Sequence, residues 1–110
     1  MDNRTFNPDY VLLKDMYQDE YFPTHCVDKV ADLIRSLIAY LEEGGHSEAE
    51  IQEKFDEMTL GINGLMEYFE ENDSEIETVA RDSIGTTVGH ILDYFHIGID
   101  IEEAIRERDW

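Results

Sequence analysis

The stretch Ser47–Asn72, SEAEIQEKFDEMTLGINGLMEYFEEN, carries apolar residues at Ile51, Phe55, Met58, Ile62, Leu65 and Phe69. Alternating four- and three-residue steps return these side chains to one face of a helical cylinder, so the spacing predicts one amphipathic helix over the whole stretch. Ser47 and Glu50 supply a capping box at its start, where hydroxyl and carboxylate satisfy amide donors that a first turn leaves unpaired. Asn72-Asp73 is expected to end it.

Working outward, Cys26, Val27, Val30, Leu33, Ile34, Leu37, Ile38 and Leu41 make an apolar face wider than a coiled-coil seam, on a helix beginning near Pro23-Thr24 and stopped by Gly44-Gly45. Upstream, Asn7-Pro8 reads as a cap with proline at the first helical position, opening a short helix that ends near Tyr17. The connector Gln18–Pro23 is aromatic, with Phe22 pushed towards extended backbone by the proline after it. Downstream, Ser74 and Glu77 repeat the capping box and predict a helix through Ile76, Val79, Ala80, Ile84, Val88, Ile91, Leu92 and Phe95, closed by Gly98. Asp100, with Glu103 three residues later, caps a last short helix through Ile101, Ala104 and Ile105, leaving Arg108-Asp109-Trp110 as a tail. No alternating β-branched run bounded by turn signals occurs, so no strand is expected. The expected fold is all-α, a single domain over residues 1–110: a bundle of three long helices with short helices at both ends.

The chain has 110 residues, enough for one core, and a hydrophobic fraction of 42%, which sets it apart from disordered acidic chains. Its 27 acids against 8 Lys and Arg give a formal charge of −19, which repels nucleic acid and anionic lipid and attracts basic proteins. Cys26 is the single cysteine, so an intrachain disulfide and a multi-cysteine zinc site are excluded. Met1-Asp2-Asn3-Arg4-Thr5-Phe6 lacks a basic region followed by an apolar one, and no later run has the length of a membrane span, so a cytoplasmic location is expected.

Asp15-Met16-Tyr17, Tyr21-Phe22-Pro23, Val27-Asp28-Lys29, Phe69-Glu70-Glu71-Asn72, SEIETVAR from Ser74 to Arg81 and the Arg108-Asp109-Trp110 end together resemble a family of small acidic bacterial proteins of unknown function. The resemblance spans most of the chain. It implies a helical cytoplasmic protein and lends no activity, cofactor or site.

Signatures of chemistry are sparse. Glu43-x-x-His46, the single Glu-x-x-His pattern, straddles two glycines and is a loop rather than a di-iron ligand helix. His90 and His96 are six residues apart, roughly 120° around a helix, and do not share one metal; His90 reads as a partly buried structural histidine. His25 beside Cys26 suggests a thiol and its base, but adjacent side chains on a helix diverge by about 100° and Cys26 falls in the apolar stripe, where an inert thiol is expected. No phosphate loop, nucleophile elbow, calcium loop or His-Glu-x-x-His occurs, so the protein is expected not to be an enzyme and to carry no cofactor or transition metal. Gly61, Gly64, Gly85 and Gly89 fall inside expected helices, each costing about 1 kcal/mol relative to alanine. They mark either close helix approach or a shallow groove for a partner. Tyr17, Tyr21 and Phe22 either staple the first helix onto the bundle or anchor a basic partner, and Trp110 reads first as packed.

On a wheel at about 100° per residue, Asp56, Glu57, Leu60, Glu67 and Glu71 point away from the Ile51–Phe69 stripe. An apolar centre in an acidic rim is the arrangement of a salt-steered binding patch. The bland alternative packs Leu60 under another helix with Gly61, Gly64 and Tyr68. The resulting expectation is an interaction module for a basic protein, immunity- or inhibitor-like, that is a monomer or weak dimer and binds no nucleic acid or membrane directly. The alternatives are a nucleic-acid mimic that occupies a DNA-binding protein and a small carboxylate-based enzyme or metal carrier.

Overall fold

A computed structural model describes residues 5–110, so Met1–Arg4 of the leader reading lies outside the described residues. The elements are α1 (Lys14–Gln18), α2 (Thr24–Glu43), α3 (Glu48–Asn63), α4 (Met66–Glu71), α5 (Thr78–Tyr94) and α6 (Ile101–Ala104), with no strand among the described residues. The fold is an all-α bundle of three long helices, α2, α3 and α5. Helix α2 packs along α3, while α1 bridges α5 to α2 and α6 bridges α5 to α3. One apolar core, including Ile34, Phe55, Ile62, Phe69, Ile84 and Ile91, runs through the bundle. Every apolar position expected on α2 is buried except Leu33, which is half-buried.

The capping box at the start of α3 is formed as its sequence requires: Glu50 N–H donates to Ser47 Oγ (3.1 Å) and Ser47 N–H to Glu50 Oε1 (2.8 Å). The helix expected to continue to Asn72 is interrupted. Leu65 N–H reaches back to Ile62 C=O (2.9 Å), one residue short of the α-helical partner, so Gly64-Leu65 makes a tight turn and α4 restarts at Met66. Two glycines within four residues lower the cost of that interruption. Gly61 itself lets α3 approach α2, since a Cβ there would stand 3.0 Å from both methyls of Leu33.

Three further boundaries differ from expectation. Asn7 does not open a helix; its Oδ1 accepts from Asp9 N–H (3.0 Å) in an Asx turn, and α1 starts only at Lys14, after Leu13 in left-handed backbone (φ 55°). Ser74 does not cap α5, because its buried hydroxyl donates to Tyr21 C=O (3.0 Å); Glu77 caps instead, accepting from Val79 N–H (3.2 Å). Helix α5 is closed by His96 rather than Gly98. His96 takes φ 56°, with Ile97 N–H on Leu92 C=O (2.9 Å) and His96 N–H on Asp93 C=O (3.2 Å), a Schellman motif without glycine. Asp73 (φ 59°) closes α4 in the same way.

The aromatic connector is mainly a staple. Phe22 is buried, Tyr17 donates its hydroxyl to Asp28 (2.6 Å), and Tyr21 faces outward. Among the four internal glycines, close approach explains Gly61 and also Gly89, whose Cβ would meet Ile101 Cδ1 at 3.0 Å. Gly85 has nothing within 4 Å of a Cβ. Gly85→Ala is therefore expected to stabilise the fold by about 1 kcal/mol from helix propensity alone, raising Tm by about 4–8 °C in thermal denaturation. An unchanged or lowered Tm would contradict this account of the site.

Candidate functional site

The outer side of α3 divides into two parts. Gln52, Asp56 and Asn63, spaced four and seven residues apart, form a polar ladder that seats α6 and the segment after it. Gln52 Nε2 donates to Glu103 C=O (3.0 Å) and to Asp56 Oδ1 (3.0 Å); Arg106 grips Asp56 through Nε (3.2 Å to Oδ1) and Nη2 (2.8 Å to Oδ2). Asn63 Nδ2 donates to Glu107 C=O (2.7 Å), and its Oδ1 accepts from Asp109 N–H (2.9 Å). Asp56, expected in the open rim, thus belongs to an intramolecular clamp.

The second part is open. Leu60 is 53% exposed, so it does not pack under another helix. Glu57, one turn before it, is exposed and pairs with Lys54 (3.3 Å). Glu67 and Glu71 lie on one side of α4, exposed and without an ion-pair partner among the described residues. Because the helix breaks at Gly64-Leu65, the wheel that placed Leu60 and Glu67 on one face does not run through; the acids of α4 follow a turn, not a continuous stripe.

Partial burial raises the Asp56 carboxyl, but hydrogen bonds from Arg106 and Gln52 and the Arg106 charge outweigh it and hold the group below its ordinary value. Protons therefore bind more tightly to the unfolded chain. The clamp contributes fully above the unfolded carboxyl value of about 4 and is lost as pH falls through the lower folded one. Arg106→Gln is expected to lower Tm by a few degrees at pH 7, and that difference is expected to close towards pH 3. A difference independent of pH would overturn the assignment.

The remaining candidates are dispersed. Cys26 is buried, and burial raises its thiol against the opposing pull of Lys29, so it stays protonated. His25 faces away, its Nε2 3.1 Å from Asn72 Oδ1. His90 is half-buried and stacks on Tyr10 (centroids 4.0 Å, 7°), whereas His96 is exposed in its turn. Among the described residues no three His, Cys, Asp or Glu side chains are grouped to hold a metal, and no carboxylate is buried. Nor is any helix of the described residues long and apolar enough to cross a membrane.

Residues 6–110 match a family of unknown function, DUF5713. The chain belongs to the DUF5713 family. The unknown-function family that the sequence resembles is thereby shown, over nearly the whole chain. No match was found among the curated proteins or among the solved structures. Membership of DUF5713 brings no activity or site residue, so the surface chemistry carries the functional reading. The polar ladder of α3 escaped the sequence reading because its partners lie more than 40 residues away. The 52-56-63 spacing was its only local signal.

Proposed function

We propose that this DUF5713 chain is a protein-interaction module that holds a basic cytoplasmic protein on the acidic surface of α3 and α4, in the manner of small immunity or inhibitor proteins. The observation that carries this reading is Leu60, 53% exposed on a helix whose other large apolar residues are buried or half-buried, with Glu57 a turn away. An exposed apolar contact contributes residence time, and unpaired acids on a body of charge −19 contribute encounter rate. The acids not consumed by the clamp, Glu67 and Glu71 among them, are the steering groups.

The test is capture from native lysate at low and high salt, with bound proteins identified by mass spectrometry, using the wild type and Glu67→Lys/Glu71→Lys. The double reversal is expected to weaken capture of the specific partner at least several-fold and to flatten its salt dependence. Tm should change little, since exposed charges contribute about 0–1 kcal/mol each. Leu60→Ala should shorten the complex lifetime without altering salt dependence. Capture that survives both changes would place the binding surface elsewhere.

A further inference from the structure

A second feature, lined by none of the residues of α3 or α4, does not rest on the interaction reading. Between residues 9–15 and α5 lies a half-open cavity of about 360 Å³, within the size range of small-molecule sites. Its α5 wall is made of hydroxyl residues. Ser83 is only 4% exposed and Thr87 1%, and Thr86 stands at the rim. Buried hydroxyls normally have a partner. Thr87 Oγ1 faces Leu13 N–H at 3.4 Å, whereas Ser83 Oγ has no hydrogen-bond partner among the described residues and is not sealed from the cavity.

The facing wall carries charges of both signs. Lys14, Asp9 and Asp15 line the same cavity, yet no ion pair joins Lys14 to either acid among the described residues. Leu13 holds this wall in place by a costly device: a fully buried, branched side chain in left-handed backbone, immediately before Lys14.

Lys14, Asp9 and Asp15 line the cavity as exposed side chains and the Ser83 hydroxyl opens into it, so an ammonium and a hydroxyl are available to a ligand carboxylate and two carboxylates to a ligand cation. A phosphate dianion would meet Asp9, Asp15 and the overall charge of −19 with only one ammonium in return. A sugar would make no use of the Lys14 charge. We infer that this cavity binds a free α-amino acid, with its carboxylate towards Lys14 and Ser83 and its ammonium towards Asp9 and Asp15.

The experiment is thermal denaturation of the whole protein with each common L-amino acid in turn, alongside inorganic phosphate and glucose, followed by calorimetric titration of any hit. At least one amino acid is expected to raise Tm by about 5 °C at saturation, while its methyl ester and its N-acetyl derivative do not. Ser83→Ala is expected to weaken that amino acid about ten-fold, the effect of one lost hydrogen bond, and Lys14→Met to weaken it further. Lys14 is exposed, so its variant folds even where a change at Ser83 disturbs packing. Glu67→Lys/Glu71→Lys is expected to bind the amino acid as the wild type does, which separates this site from the protein-docking surface. No shift with any amino acid, a shift with phosphate or glucose instead, or affinity retained in Lys14→Met would overturn the inference.

Discussion

Phe55→Ala is expected to destabilise the protein by about 3–5 kcal/mol, lowering Tm by on the order of 20 °C. Phe55 is fully buried at the centre of α3, among the largest enclosed side chains. Removing its ring forfeits apolar burial and leaves a hole, because side chains packed at crystal-like density collapse into it only in part. A domain of this size has a net stability of about 5–15 kcal/mol, so the variant retains little margin. The comparison that makes this specific is Leu60→Ala, five residues along the same helix and half in water, which is expected to stay within about 0.5 kcal/mol of wild type. Chemical denaturation followed by circular dichroism measures both. Near-equal losses would mean that the helix is rotated from the orientation described.

The contrast between Phe55 and Leu60 also shows what the sequence makes legible. Burial on α2 and α3 follows period and hydrophobicity, both local properties, and the wheel assigns Phe55 and Leu60 to opposite sides correctly. Ser47 caps because its partner is three residues away. Ser74 carries the same pattern and does not cap, because the Tyr21 carbonyl, 53 residues distant, claims its hydroxyl. Likewise, the stop at His96 and the turn at Leu13 use left-handed backbone at residues that give no sequence signal for it, where glycine or asparagine is the usual choice. Such positions are held by their surroundings: the Ile97–Leu92 hydrogen bond at one, complete burial at the other.

The candidate site divides along the same line. That Asp56 faces outward from the apolar stripe is a property of the helix; that Arg106 meets it is a property of the fold. The clamp changes the meaning of the acidic surface, since it withdraws Asp56 from the rim and uses it to seat the chain after α6. Leu60 remains outward because Gly61, its neighbour, is the residue that admits Leu33 of α2. The close helix approach that the alternative placed over Leu60 therefore falls one position, about 100°, to its side.

The seat of that final segment carries the second large effect. Trp110 is only 8% exposed, and its indole Nε1 is buried without a hydrogen-bond partner among the described residues. Trp110→Ala is expected to cost about 3 kcal/mol or more, the ordinary consequence of deleting a packed aromatic ring. Trp110→Phe is expected to be far milder. It loses part of the ring's apolar area but removes an unpaired donor whose burial itself costs about 1–3 kcal/mol, and the two effects nearly cancel. As the only tryptophan, Trp110 also reports on its own docking by fluorescence. Asn63→Ala, which removes the acceptor for Asp109 N–H and the donor to Glu107 C=O, is expected to shift emission to the red at denaturant concentrations below the global transition, because the segment then opens before the bundle. If emission and circular dichroism change together in that variant, the segment is held by the apolar packing of Trp110 alone, and the polar ladder of α3 contributes nothing to seating it.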